Sequence, residues 1–317
     1  MKIDDKLKEI IDDYISDYLD KRNDLGKIVS GTFPIIWFGN LEKYLSSNKK
    51  KIVTVAVNPS KGEFEERRFD DIHLDDYKVS SEEVKDRLRS DLADSLNEYF
   101  DGCNGKKPYW QWFKSYNRVL NHIGADYKNS LDSDFSVVHI DIYSAIATDP
   151  VWSKLPKDQK ERLPNPDLFK KLMQYLEPDI VLYSSDEGVF PNLLIYLNST
   201  LRDEEQIVFK KEYFIDKKIM NHKGNKIEEE CRIGVNHDEQ SIHSQNYLRI
   251  YSNPQKTKAV VWGKNIQLPF TVFNDKVRGE ILKAWLKDHE IDDDLSYVRI
   301  KKEKQCDANN KSLGQTE

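Results

Sequence analysis

Polar side chains follow the predicted strands of this sequence at the points where the strands end. The apolar, β-branched run 51–57 predicts a buried strand that passes straight into Asn58, Pro59 and Ser60. In open α/β sheets, ligands bind just beyond the carboxyl ends of the strands, so Asn58 is well sited for chemistry. Pro59 biases Asn58 away from the helical region and so holds its side chain in one direction. The alternative is that Asn-Pro-Ser is simply a turn.

Two further strand ends carry polar groups. Asp141 lies near the end of the predicted strand 135–143, and Lys264 and Asn265 follow the predicted strand 258–263. An amide group both donates and accepts hydrogen bonds, whereas an ionised carboxylate only accepts them. The sequence therefore predicts a set of polar groups at one edge of a sheet.

The alternation of strand and helix patterns predicts the fold class. A third buried strand is predicted over 178–184, and residues 207–235 alternate as in an antiparallel hairpin. Helices are predicted over 3–21, 81–100, 108–124, 167–176, 190–197 and 274–289. We predict an α/β protein: a three-layer α/β/α sandwich with a central, mostly parallel four-stranded sheet, an N-terminal helix and a β-hairpin insertion.

The 317 residues suffice for one large domain or two smaller ones, and we predict one. This domain covers 1–305, with an N-terminal helical extension over 1–48 and a basic hairpin insertion over 205–235. The polar tail 306–317 is expected to be disordered.

Composition points to a soluble protein. Charged residues make up 33% of the chain, and no apolar run approaches the roughly 20 residues that cross a bilayer. Residues 1–20 form an acidic amphipathic pattern without the basic start and apolar centre of a signal peptide. We therefore expect a cytoplasmic protein with no membrane partner.

Motifs of several enzyme classes are missing. The sequence has no G-x-x-x-x-G-K-[ST], no G-x-G-x-x-G after a strand, no G-x-S-x-G and no H-E-x-x-H. The three cysteines stand far apart, and none lies in a C-x-x-C pair. Asp179 is not followed by the Glu-x-Lys of a metal-dependent nuclease. We therefore expect neither a metal nor a cofactor.

The net charge is −6, but the cations cluster, which is what matters for nucleic-acid binding. The clusters are Lys49, Lys50 and Lys51; Lys210, Lys211, Lys217, Lys218, Lys223 and Lys226; and Arg299, Lys301, Lys302 and Lys304. The alternative is that these runs are ordinary solvated faces.

Taken together, these motifs resemble the uracil-DNA glycosylase superfamily. The resemblance rests on the strand that ends in Asn58-Pro59-Ser60 and on Tyr-Trp-x-x-Phe-x-x-x-Asn-x-x-Leu over 109–120. The Pro-Asp-Ile-Val strand and the late strand-loop-helix complete it. It is similar above all to the branches whose first motif reads Gly-x-Asn-Pro-Gly, and the similarity spans about residues 50–290.

The resemblance implies a DNA glycosylase that hydrolyses the bond between a flipped-out base and deoxyribose without a metal. Asn58 would hold the attacking water through its carbonyl oxygen. Phe69, spaced like the family's stacking aromatic, or Phe64 would receive the base, with Pro59 and Tyr143 also in the substrate-binding set. The alternative for Phe64 and Phe69 is a loop hydrophobe packed in the core.

The residue that reads the base differs from the family pattern. Family members carry an Asn at the tip of the second strand, and Asp141 stands there in this chain. An ionised carboxylate would repel uracil O4 and accept the exocyclic amine of cytosine. This predicts a preference for cytosine or a modified cytosine, unless Asp141 instead pairs with a lysine or caps a loop.

The late motif departs from the family as well, because its histidine is missing. Asn265, with Gln267, would have to steady the leaving base, or else His237 or His243 reaches in. Lys264, Ser60 and Lys61 are candidate phosphate contacts, with solvent-facing lysines as the alternative.

We therefore expect a glycosylase that acts on DNA. By analogy, its substrate would be a modified cytosine of phage DNA, and its biological role would be antiviral defence. A nucleic-acid-binding protein that has lost catalysis is the main alternative. A hydrolase of small nucleotides is the third.

Overall fold

The computed structural model describes residues 3–67, 69, 72–101, 108–130, 132–183, 190–223, 226–236, 247–262, 279, 282–283, 285–286 and 296–302. The α-helices in this part of the chain are α1 (Asp5–Lys21), α2 (Leu41–Ser46), α3 (Glu82–Asn97), α4 (Trp110–His122), α5 (Lys157–Arg162), α6 (Pro166–Leu176) and α7 (Phe190–Asn198). The strands are β1 (Lys50–Ala56), β2 (Phe135–Asp141), β3 (Ile180–Tyr183), β4 (Phe209–Lys223), β5 (Lys226–Asn236), β6 (Tyr247–Ser252), β7 (Ala259–Trp262) and β8 (Ser296–Lys302).

The strands form one mixed sheet in the order β2-β1-β3-β7-β6-β4-β5-β8. Strands β2, β1, β3 and β7 pair in parallel, and the other pairs are antiparallel. The predicted α/β class is confirmed. The predicted strand number is wrong, because the hairpin β4–β5 pairs with β6 and β8 and so lengthens the sheet instead of standing apart from it.

The parallel strands form because their sequences are apolar on both faces. All described residues of β2 and β3 are buried, as are the last five of β1. Parallel sheets lie between covering helices, which is why such strands read as continuous apolar runs. In register, Ala56 lies opposite Asp141, so β1 and β2 end side by side.

The N-terminal helix α1 packs through one face. Its buried residues are Leu7, Ile10, Ile11, Tyr14, Ile15, Tyr18 and Leu19. Asp4 caps the helix by accepting the Leu7 N–H at 2.8 Å. Arg89 of α3 binds Asp12 of α1 through two hydrogen bonds of 2.6 and 2.8 Å, which ties the two helices together.

The outer edge of β2 is covered by groups from other segments. Phe38 and His139 exchange two backbone hydrogen bonds of 2.8 and 3.1 Å. The side-chain amide of Asn129 donates to the Val137 carbonyl at 3.0 Å and accepts the Val137 N–H at 2.6 Å. Asn129 thus occupies the place that a neighbouring peptide group would take.

The elements α2, α5, β6 and β8 were not predicted, because each of the two helices spans only six residues and charged residues interrupt the apolar pattern of the two strands. Most of the predicted helix 274–289 and the whole tail 306–317 lie outside the described residues. Among the residues that are described, no helix combines the length and the apolar character needed to cross a membrane.

Candidate site at the carboxyl ends of the parallel strands

The side chain of Asn58 is held by the chain around it. Its Nδ2 atom donates to the Pro59 carbonyl at 2.8 Å, to Thr148 Oγ1 at 3.0 Å and to the Ile146 carbonyl at 3.4 Å. These three acceptors identify the nitrogen and fix the plane of the amide group. Asn58 is therefore rigidly placed, as its position before Pro59 predicts.

The acceptors reach Asn58 because the segments that follow β1 and β2 pack against each other. Ser60 and Thr148 form an isolated parallel bridge. The Thr148 N–H donates to the Pro59 carbonyl, and the Lys61 N–H donates to the Thr148 carbonyl, both at 3.3 Å. The two loops thus form one unit at the carboxyl end of the sheet.

The carbonyl oxygen of Asn58 has a different environment from its nitrogen. Asn58 is half-buried, and its Oδ1 accepts no hydrogen bond from the part of the chain that the structure describes. A fixed acceptor without a protein donor can hold a water molecule. Holding a water molecule is the role that the resemblance implies for Asn58.

Asp141 closes the neighbouring strand as a buried carboxyl group. Its side chain is 3% exposed, and its Oδ1 lies 3.8 Å from His139 Nε2. Burial raises the pKa of Asp141 above its ordinary value, and His139 lowers it by a smaller amount. Asp141 neither pairs with a lysine nor caps a loop among the described residues, so the two alternatives considered for it do not apply there.

A chain of buried polar groups continues from His139 into the core. His139 Nδ1 lies 2.7 Å from Thr54 Oγ1, which lies 2.8 Å from the Tyr127 hydroxyl oxygen. All three side chains are buried. The rings that surround His139 are those of Phe38, Trp112, Phe113 and Tyr116.

A small cavity lies beside Asp141. Its volume is about 10 Å³, roughly what one water molecule needs. Tyr14 and Asp17 of α1, Leu168 and Phe169 of α6, and the segment that follows β2 line it, whereas Asn58 does not. The structure thus brings Asn58 and Asp141 to the same end of adjacent strands, but this cavity contains only Asp141.

The two candidate stacking residues pack into an aromatic cluster. Phe69 is 6% exposed, and its ring lies 5.3 Å from Phe33 and 5.2 Å from Tyr99. Phe64 is partly buried and lies 5.2 Å from Phe33 and 5.4 Å from Phe69. Phe69 therefore occupies the core position given as its alternative and stacks on Tyr99, whereas Phe64 packs against the same cluster and stays partly exposed.

Tyr143 is a better-placed aromatic group at this end of the sheet. Its N–H donates to the Val57 carbonyl at 3.1 Å, so it lies beside the segment that leads to Asn58. Its ring stacks on Trp152 with centroids 4.8 Å apart, and its hydroxyl accepts from Asn192 at 3.3 Å. Burial raises the pKa of Tyr143, so its hydroxyl group stays protonated.

The remaining predicted residues divide into two groups. Pro59 is buried, Ser60 is half-buried, and Lys61 lies 3.6 Å from Asp149 at the surface. Lys264, Asn265, Gln267, His237 and His243 lie outside the described residues. Within the described part of the chain, no group of three or more His, Cys, Asp or Glu side chains could hold a metal ion.

A larger cavity, of about 450 Å³, opens at the opposite end of the strands. Lys258 Nζ there donates to the Pro178 carbonyl at 2.9 Å and lies 3.5 Å from Asp179 Oδ1. Asp179 Oδ2 also accepts the Lys51 N–H at 2.8 Å. The cluster Lys49–Lys51 begins β1 at this end, so the whole strand separates it from Asn58.

Sequence reasoning missed three residues of the site. Thr148 orients Asn58 from 90 positions away, and His139 stands two residues before Asp141 on the same strand. Trp152 stacks on Tyr143. Only His139 had a signal in the sequence, because residues two apart on a strand share a face.

Comparisons with protein-family models, with curated proteins and with solved structures found no match to this chain.

Proposed function

We propose that this chain is a monofunctional DNA glycosylase that hydrolyses the N-glycosidic bond of a flipped-out base, with a modified cytosine as its substrate. The observation that carries the proposal is Asn58: its nitrogen is committed to three protein acceptors, while its oxygen is left without a described donor. This geometry fits a group that positions a water molecule.

The reaction needs such a group. Departure of the base builds positive charge on the sugar and negative charge on the base. The site must therefore hold a water molecule beside the sugar and hydrogen-bond donors beside the base. Asn58 would hold the water through Oδ1. Asn265, proposed to steady the base, lies outside the described residues.

Asp141 supports the cytosine part of the proposal. Its ionised form accepts hydrogen bonds only and so suits the exocyclic amine of cytosine. Because its cavity is far smaller than a base, the proposal requires the walls from α1 and α6 to separate when DNA binds. Tyr143, which stacks on Trp152, is one of the aromatic residues that line this cavity.

Several further expectations belong to the same proposal. They are the three-layer arrangement of helices around the sheet, a cytoplasmic location, DNA as partner, and phosphate contacts from Ser60, Lys61 and Lys264. Lys61 is half exposed, and its ion pair with Asp149 is long, so it is available to a phosphate group.

The test is base release from DNA. The purified protein is incubated with single- and double-stranded oligonucleotides that carry uracil, cytosine or 5-substituted cytosines, and abasic sites are revealed by alkaline cleavage. We expect cleavage at a cytosine derivative by the wild-type protein and cleavage about 100-fold slower by Asn58→Ala. The absence of abasic sites in every DNA, or equal activity of Asn58→Ala, contradicts the proposal.

A nucleic-acid-binding protein without catalysis is the second candidate. The observations that favour it are the burial of Phe69 among aromatic rings and the small volume of the cavity beside Asp141. It predicts that wild-type protein and Asn58→Ala bind the same oligonucleotides equally well and that neither leaves an abasic site.

A further inference from the structure

The polar chain behind Asp141 is unusual for its surroundings. Thr54, His139 and Tyr127 are joined by distances of 2.7 and 2.8 Å, and aromatic rings surround His139. Buried polar groups are costly unless they are fully satisfied, so such a network is retained where it has a task. The end of this chain that faces the candidate site is His139 Nε2, at 3.8 Å from Asp141.

The direction of hydrogen-bond donation along these three side chains follows from Tyr127. The Tyr127 hydroxyl group keeps its proton, because burial raises its pKa, and among the described residues Thr54 Oγ1 is the one acceptor within hydrogen-bond distance of it. Thr54 then donates its own proton to His139 Nδ1. A neutral imidazole whose Nδ1 accepts carries its proton on Nε2, which is the nitrogen that faces Asp141.

We propose, on the basis of the proposed function, that His139 is a positioning residue that favours the carboxylate form of Asp141 and thereby excludes uracil from the site. A carboxylate accepts the amine of cytosine but repels uracil O4. A protonated carboxyl group accepts both bases, since it donates to uracil O4 and accepts its N3–H.

The pH dependence of base choice has a definite sign. Burial raises the pKa of Asp141 and His139 opposes that rise, so Asp141 is protonated at low pH and ionised at high pH. Release of uracil therefore falls as the pH rises through the pKa of Asp141, while release of the cytosine derivative persists. The other titratable groups that line the cavity are Tyr14 and Asp17 of α1, and Tyr143.

Thr54→Val tests the hydrogen bond between Thr54 and His139, because valine has nearly the same volume as threonine but no hydroxyl group. It removes the hydroxyl group that holds Nδ1 as an acceptor, so the tautomer with its proton on Nε2, toward Asp141, loses the hydrogen bond that fixes it. We expect the carboxyl signal of Asp141 in ¹³C NMR, assigned with Asp141→Asn, to titrate at a higher pH in Thr54→Val than in the wild-type protein.

Two matched variants control for packing. Tyr127→Phe keeps the Thr54 to His139 bond and is expected to move the titration less. Tyr116→Phe removes a buried hydroxyl group of the same aromatic shell, which donates to the Val55 carbonyl and not to the chain. It is expected to leave the titration unchanged, and thermal unfolding verifies that each variant is folded.

Base release completes the test. We expect Thr54→Val to release uracil at pH values at which the wild-type protein no longer does, with at least a tenfold rise in the ratio of uracil to cytosine-derivative release. An unchanged titration of Asp141, or an unchanged ratio, overturns the role of His139 alone. No base release from any DNA by folded wild-type protein overturns the proposed function and, with it, the specificity role.

Discussion

The polar groups at the two ends of the parallel strands are partnered in opposite ways. At the amino end, Asp179 accepts from a backbone N–H and pairs with Lys258, beside a cavity of about 450 Å³. At the carboxyl end, Asp141 is buried with no lysine or arginine partner among the described residues, beside a cavity of about 10 Å³. Asn58, at the same end, presents an oxygen without a described donor.

This difference shows that the size of a cavity and the readiness of its groups for chemistry are separate properties. Oppositely charged groups that already pair with each other stabilise the fold, and they have few free hydrogen-bonding positions for a substrate. A fixed acceptor and a buried carboxyl group are costly to maintain, and such costs concentrate at functional sites. Our proposal therefore assigns the chemistry to the end with the smaller cavity, where α/β sheets bind their ligands.

The largest expected effect is a difference in the rate of base release between variants at the two ends of the parallel strands. Asn58→Ala removes the group proposed to position water, and misplacing a reacting group costs about 100-fold in rate. Lys258→Met, at the other end, is expected to leave base release unchanged. Rates of abasic-site formation under single-turnover conditions measure both, and equal losses in the two variants would remove the distinction.

The second effect concerns stability and pH at Asp141. Because its pKa is raised in the folded protein, the folded state holds the proton to a higher pH than the unfolded state does. The free energy of unfolding contributed by this residue therefore falls as the pH rises from the unfolded-state pKa to the folded-state pKa, by about 1.4 kcal/mol for each pH unit between the two. Asp141→Asn is expected to flatten this decline in urea denaturation curves. An unchanged slope in that variant would show that Asp141 is not the group responsible.

A smaller effect is expected at Thr148, which orients Asn58 from the second loop. Thr148→Val removes one acceptor of the Asn58 amide, at a cost of about 1 kcal/mol, and hence lowers the rate about 5-fold. Thr148→Ser keeps the hydroxyl group and is the matched control. If both variants retain the wild-type rate, the orientation of Asn58 does not depend on this contact.

The smallest effect belongs to the amino end. Lys258→Met breaks a partly buried ion pair and one hydrogen bond to a carbonyl, so we expect a loss of about 1 kcal/mol of stability. Thermal unfolding measures it. A loss several times larger, or any loss of base release from folded protein, would mean that the two ends are coupled.

The sequence predicts the parallel half of the molecule well, and the reason is physical. The strands β1, β2, β3 and β7 are apolar runs buried on both faces, and each was predicted within a few residues. The pairings of β6 and β8 were not predicted, because charged residues interrupt the apolar pattern of these strands and their place in the sheet depends on the hairpin β4–β5. The size of the sheet was therefore underestimated.

The candidate site was predicted in part. The position of Asn58 follows from a strand and a proline, both local signals. The acceptor Thr148 lies 90 residues away and depends on how two loops pack, which no local pattern encodes. Phe69 shows the converse: its spacing fits a substrate contact, but neighbouring rings cover it in the fold.

The amide of Asn129 has a consequence for the behaviour of the protein at high concentration. An uncovered edge strand offers its N–H and C=O groups to any other extended chain, which makes it a starting point for aggregation. Here one side chain and one backbone pair occupy those groups on β2. Copies of this molecule are thereby prevented from joining edge to edge beside the strand that carries Asp141.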